Sequence, residues 1–374
     1  MKKPLTAETV EKKILMKKTI MIVAVACAWL ALVVGRSPVP LHAQSNGPRF
    51  EVDPSWPKPL PEKWIIGRTG GICVDAHDHL IVTNRRDITK EEEETSLQAP
   101  SVLIFDTAGN LVTSWGDSTT VPGTIHGYFV DHEFNVWVTG NGDGIIQKWT
   151  HDCKLLLQIG KRGAFDSSDG TGRGNSLNAS PTQFFNPANI VVDPGNGDFY
   201  VADGYGNRRV AVFDRQGHFL RQWGRQATKE EIEAGAPGVF AQIVHCIAMS
   251  NAGLLYVCDR QGDRVQVYDK MGNLKRNIWI KTGTPTLPDP RGTAWGVAFS
   301  RDREQKFMYV MNGRNEQVHI LDHATGKILS SFGRPGHQLA NFTHGHALVV
   351  DSKGNIYVAE TDWGRRIQKF RVVD

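Results

Sequence analysis

The chain has 374 residues, 40% of them hydrophobic and 22% charged, a balance that argues against a disordered polymer or a collagen-like fibre and leaves material for a real core. Its formal surplus of +4 sits in residues 1–43, where seven basic side chains meet two acidic ones; the rest carries 36 Lys and Arg against 37 Asp and Glu. A near-neutral body argues against a nucleic-acid binder, which needs a positive excess to neutralise phosphates.

The first element is a lysine-rich stretch followed by an apolar run from Thr19 to Val34 and by Pro38, Pro40 and Ala43. This pattern predicts a signal peptide over 1–43, a mature domain over 44–374, and a secreted or periplasmic protein. The run is shorter than the roughly 20 residues that a spanning helix prefers, so no stable membrane insertion is expected after cleavage, with an uncleaved anchor as the alternative. Beyond it lie Cys73, Cys153, Cys246 and Cys258, too sparse for a disulfide scaffold and without a CxxC pair. Simple packing is expected for all four, with room for one bridge.

The body repeats one pattern: a β-rich run ending in Asp or Ser, a turn, a second β-rich run, a polar loop, and a third run. The runs end at Asp75, Asp131, Asp193, Ser250, Ser300 and Asp351, and second runs follow at Leu80–Thr83, Val136–Thr139, Phe199–Ala202, Leu254–Val257, Met308–Met311 and Ile356–Ala359. A period of about 50 to 60 residues suits four antiparallel strands per unit, and six units predict an all-β, six-bladed propeller. The last copy ends at Asp374 without room for a fourth strand, whereas Arg49–Val52 is unassigned and is expected to close the ring. Insertions at 90–100, 160–182, 227–238 and 282–292 read as surface loops, and the run Glu91 to Glu94 as a solvated stretch.

Five positions before the anchors stand Gly70, His126, Ala188, His245, Trp295 and His346, so every second blade carries a histidine. That position begins the innermost strand of a propeller blade, and three such rings would surround the channel about 120° apart. Three neutral imidazoles favour zinc, and three protein ligands leave a fourth position open for water or substrate. The alternative is three unrelated histidines in a wet channel. His132, His151, His218, His319 and His323 read as ordinary surface residues.

The loop joining strands two and three faces the same end of a blade. It holds Arg85, with Arg86 beside it as competitor, then Tyr205 and Arg260. Two guanidinium groups beside a metal suit a carboxylate-bearing substrate, and a phenol near zinc and arginine could act as a base. Taken singly, each reads equally well as a loop salt bridge or a packed aromatic. Arg208, Arg209, Arg264 and Arg365 are expected to brace adjacent blades through the Asp residues of the repeat.

Phe185 to Asp193, running into Phe199 to Val210, resembles an NHL repeat. His126-Gly, Asp203-Gly-Tyr205, His245 with Asp259-Arg260, and His346 together resemble the peptidyl-α-hydroxyglycine α-amidating lyase family. The resemblance implies a zinc-dependent lyase that cleaves the C–N bond of a peptidyl- or N-acyl-α-hydroxyglycine, leaving an amide and glyoxylate. It also implies His126, His245 and His346 as zinc ligands, Tyr205 as base, and Arg85 and Arg260 as electrostatic partners. Two features depart from the family. Ala347 stands where the family carries an acidic calcium ligand, which weakens the case for calcium, and Gly206 stands where it carries a disulfide cysteine.

Two other readings fit the same sequence. One is a non-catalytic NHL binding module, which needs no tightly held metal. The other is a lactonase-type propeller hydrolase, which surrounds calcium with oxygen ligands rather than imidazole. The expected partner is a small molecule or peptide with a carboxylate, and a closed ring is expected to be monomeric.

Overall fold

Apolar residues fill both faces of the middle strands of each repeat, which can be satisfied only if every sheet is covered on both sides by its neighbours. The computed structural model describes residues 47–280 and 291–373, and in them this demand is met by six four-stranded antiparallel sheets arranged in a ring. The leader over 1–43 and most of the 282–292 insertion lie outside the described residues.

The innermost strands are Thr69–Val74, Ile125–Val130, Pro187–Val192, Val244–Met249, Ala294–Phe299 and Gly345–Val350, in blades one to six. Each packs against the next, and the sixth packs against the first. Six hydrophobic cores result, one between each pair of neighbouring blades. Trp137 and Ile146 of blade two, for example, pack with Phe199, Val201 and Phe213 of blade three. Val310 and Met308 of blade five meet Tyr256, Val265 and Val267 of blade four. The axis itself is left as a channel.

Closure follows the expected route. Arg49–Val52 pairs antiparallel with the last strand, Arg366–Val373, in a register that sets Arg49 against Val373 and Val52 against Phe370. The sixth blade is thus built from both ends of the described residues, and among them no blade keeps an unpaired outer strand of its own.

Two insertions hold more order than their composition suggests. Lys90–Glu93 and Lys229–Glu233 are single helical turns, each begun by a threonine (Thr89, Thr228) in a reciprocal capping box with a glutamate three residues on. The acidic run is also not merely solvated, because Glu92 receives a forked contact from Arg365 of blade six, at 2.7 and 3.1 Å. Arg209 and Arg264 do their bracing within a blade, through Asp203 at 2.9 Å and Asp259 at 2.8 Å. His319 is buried on a middle strand against Asn312 rather than lying on the surface.

The expectation of simple packing fails at one cysteine pair. Cys246 and Cys258 form a disulfide between the first two strands of blade four, their Cα atoms 4.9 Å apart. Cys73 and Cys153 remain free. Replacing both bridged cysteines by alanine is expected to cost about 3 kcal/mol, the chain entropy regained by a loop of this length. Urea denaturation of the variant against the oxidised protein measures it.

Candidate metal and substrate site

The site grows out of an irregularity repeated in all six blades. Between strands one and two the register slips, at Ile125/Tyr128 in blade two, Val244/Ile247 in blade four and Gly345/Ala347 in blade six. Each slip contains the expected histidine. A bulge of this kind releases one residue from the pleat and re-aims its side chain, and three such releases bring His126, His245 and His346 together. Their ring centroids form a nearly equilateral triangle with sides of 4.9, 4.7 and 4.9 Å, and all three rings are buried.

The blades without histidine orient those that have it. His126 Nδ1 donates to the carbonyl of Ala188 at 2.8 Å, and His245 Nδ1 donates to that of Trp295 at 2.6 Å. The Gly70 backbone lies beside His346, whose Nδ1 is buried without a hydrogen-bond partner. With their Nδ1 protons directed outward, His126 and His245 turn the Nε2 lone pairs into the channel. His245 Nε2 is buried there without a hydrogen-bond partner, and the Nε2 atoms of His126 and His346 lie 3.2 Å apart. Two ligands on one tetrahedral zinc, at about 2.05 Å each, would stand about 3.3 Å apart. The donor set and its spacing therefore fit a zinc-type ion.

Burial drives all three imidazoles toward the neutral form that binds metal. It pulls His126 and His245 well below the ordinary histidine value, with the neighbouring rings and then arginines adding to the effect, and it takes His346 down to about 3. His319, buried elsewhere, falls to about 4 by burial alone. Because these folded values lie below the unfolded value near 6.5, the unfolded chain takes up protons first. Stability of the metal-free protein is thus complete above about pH 6.5 and falls as pH drops toward 4, with His319 alone contributing about 3 kcal/mol. Thermal melts of chelated protein across that window read the loss.

The three residues expected from the loops converge on the same mouth. Tyr205 Oη donates to His126 Nε2 at 2.9 Å, and Arg260 Nη1 donates to Tyr205 Oη at 3.4 Å. Arg85, not Arg86, faces the site. Its Nε donates to the Ile125 carbonyl at 3.0 Å, and its charge acts on His126, His346 and Tyr205. Arg86 turns away to the carbonyl of Ala99. Burial holds the Tyr205 phenol above its ordinary value, while Arg260 and then Arg85 pull it down. In the metal-free protein burial prevails, so the arginines alone do not make the phenol acidic.

Local sequence explains why these loops hold their shape. A polar side chain ending the second strand captures a backbone N–H just before the first strand: Asn84 with Gly67, Asp203 with Phe185, Asp259 with Ala241 and Glu360 with Thr343. Gly204 and Gly206 flank Tyr205 because a β-carbon at either would collide, with the Val244 carbonyl and the Phe185 ring respectively.

Two aromatic residues complete the mouth that the histidine spacing did not single out. Trp295 is buried under the Arg260 guanidinium, 4.4 Å away, and its ring lies 5.4 Å from His245 and 5.9 Å from His346. From Trp295 a line of rings leads outward through His344, at 6.1 Å, to Trp363, at 5.1 Å from His344 and 77% exposed. Trp295 occupies one of the six counted positions, so its place at the channel was legible; Trp363 is marked only by its loop.

Fold and site together define a six-bladed propeller with a buried trio of histidines at one channel mouth. No family model matches the chain. It is similar to mouse NHL repeat-containing protein 3, 29% identical over 86% of this chain and 84% of that protein. It is also similar to peptidyl-alpha-hydroxyglycine alpha-amidating lyase 1 of Drosophila melanogaster, 30% identical over 77% of this chain and about half (51%) of the fly protein. Among solved structures, virginiamycin B lyase from Staphylococcus aureus shares the fold, with a TM-score of 0.52 at 14% identity over 86% of this chain and 89% of that one. The homologues of this chain thus include both α-amidating lyases and NHL repeat proteins.

Proposed function

We propose that the protein is a zinc-dependent lyase that cleaves the C–N bond of a peptidyl- or N-acyl-α-hydroxyglycine, giving an amide and glyoxylate. The observation that carries this reading is the convergence of three buried imidazoles, a phenol and two guanidiniums at one mouth. His126, His245 and His346 would hold a divalent ion, which would supply Lewis acidity beside the substrate hydroxyl and the Tyr205 phenol. Arg85 and Arg260 pair with the substrate carboxylate, a task suited to planar guanidinium groups partly withdrawn from water. The Tyr205 phenolate takes the hydroxyl proton as the aldehyde C=O forms. The C–N bond breaks with its electron pair on nitrogen, which then takes up a proton to become the amide.

The line of rings from Trp295 to Trp363 offers an apolar path for the acyl group. Trp363→Ala is expected to raise KM about 5-fold for a substrate with an aromatic acyl group, equivalent to about 1 kcal/mol of aromatic contact, and to leave KM for an N-acetyl substrate unchanged. Steady-state kinetics on the two substrates decides it.

The reading as a whole is tested by glyoxylate release from an N-acyl-α-hydroxyglycine, before and after chelation and again after zinc is restored. Metal-dependent release supports it. Bound zinc without release discards the substrate, and no zinc with no release favours the second reading, a non-catalytic binding propeller. That reading draws on the similarity to NHL repeat-containing protein 3, whose name carries no activity. An exported protein is the expected setting, and the Cys246–Cys258 bridge suits an oxidising compartment. The closed ring would function as a monomer.

A further inference from the structure

The opposite end of blade one carries a second group of metal-binding side chains. Asp75 closes the first strand, and its Oδ1 accepts the backbone N–H groups of His77 and His79, at 2.8 and 2.9 Å. Its Oδ2, on a side chain with no exposed surface, lies 3.2 Å from His79 Nδ1 and 3.7 Å from His151 Nε2. One ligand atom from each of Asp75, His77 and His79 lies within 4.8 Å of the others.

Blade two completes the surroundings. His151 sits on its outer turn, and its Nε2 is buried without a hydrogen bond. The His77 ring is stacked on Phe134, also of blade two, with centroids 4.9 Å apart and 24° between planes. Five residues of strand, about 17 Å of axial rise, separate Asp75 from the level of the histidine trio.

The same turn recurs without this equipment, which gives an internal comparison. Four sibling turns are closed by asparagine four residues after the aspartate: Asn110, Asn135, Asn273 and Asn355. A fifth uses His218 against Asp214, at 2.8 Å. Turn closure therefore accounts for an Asp–His pair such as Asp75 with His79. It does not account for two more imidazoles gathered at one carboxylate, with one ring nitrogen buried and unsatisfied.

We infer that Asp75, His77 and His79, with His151 facing them from blade two, form a second site for a divalent transition metal of the zinc type. Mixed imidazole and carboxylate donors select such an ion over calcium or magnesium. An ion held there would join blade one to blade two at the face opposite the first site, adding a cross-blade tie that stabilises the folded ring by mass action.

The test uses purified protein stripped of metal, then equilibrated with zinc chloride alone, and compares zinc per chain between variants. His77→Gln/His79→Asn installs the asparagine that sibling turns already carry, so the turn keeps its closure. This variant is expected to bind one equivalent fewer than wild type and to lose part of the zinc-dependent rise in Tm. His151→Gln, which leaves the Asp75 turn untouched, is expected to weaken the same equivalent at least several-fold. Equal zinc content in wild type and the double variant, or an unchanged zinc-dependent Tm, overturns the site. Because loss of the trio's metal would leave this difference intact, failure here is distinct from failure of the lyase reading.

Discussion

His245→Ala is expected to abolish turnover, by at least a thousand-fold in kcat on the scale of metal-assisted catalysis, and to remove the zinc bound at the channel mouth. Two considerations make this ring the most sensitive of the three. His245 Nε2 faces the channel with nothing to bind, so its substitution by alanine removes a ligand and leaves only the Trp295 carbonyl without its Nδ1 donor. Its neighbour Cys246 is bridged to Cys258, two residues before Arg260, so the backbone around the vacancy is held and the other site groups stay in place. Loss of zinc and activity with a nearly unchanged Tm for the metal-free protein is the expected pattern. An enzyme that still turns over would sink the metal mechanism.

Tyr205→Phe is expected to lower kcat by about 10² to 10⁴, the usual yield of a positioned acid or base, while zinc content stays at the wild-type level. The phenyl ring keeps its edge contact with His126, with centroids 4.9 Å apart, and loses only the hydroxyl that links His126 to Arg260. Metal analysis beside single-turnover kinetics separates this outcome from the His245 variant. If Phe at 205 retained full activity, proton removal would have to be assigned elsewhere.

The ring, its six units and its closing strand were legible because each rests on a repeated pattern that single positions cannot disturb. The histidine trio was legible for the same reason, since a fixed offset from the anchors isolates His126, His245 and His346. What escaped detection depends on one residue at a time. The register slips that aim those rings have no mark in hydrophobic alternation, and the carbonyls of Ala188 and Trp295 that set two tautomers belong to residues chosen by position rather than side chain. The bridge between Cys246 and Cys258 needed knowledge that the two lie on paired strands, and their spacing says nothing of that until the blade is built. Trp363 sits in a loop whose direction is set by Glu360 and Asp362, contacts that no periodicity encodes.

The pairing of Arg49–Val52 with Arg366–Val373 would tie the fate of a metal held by the trio to the fate of the latch. His346 belongs to the blade that this pairing completes, whereas His126 and His245 belong to blades built from continuous stretches of chain. An open ring would offer two dependable ligands, and a closed one offers three. By thermodynamic reciprocity, whatever zinc gains from closure, closure gains from zinc. Metal supply would therefore act as a brake on fraying at the seam, felt at the two chain ends and hardly at all in blades two to four.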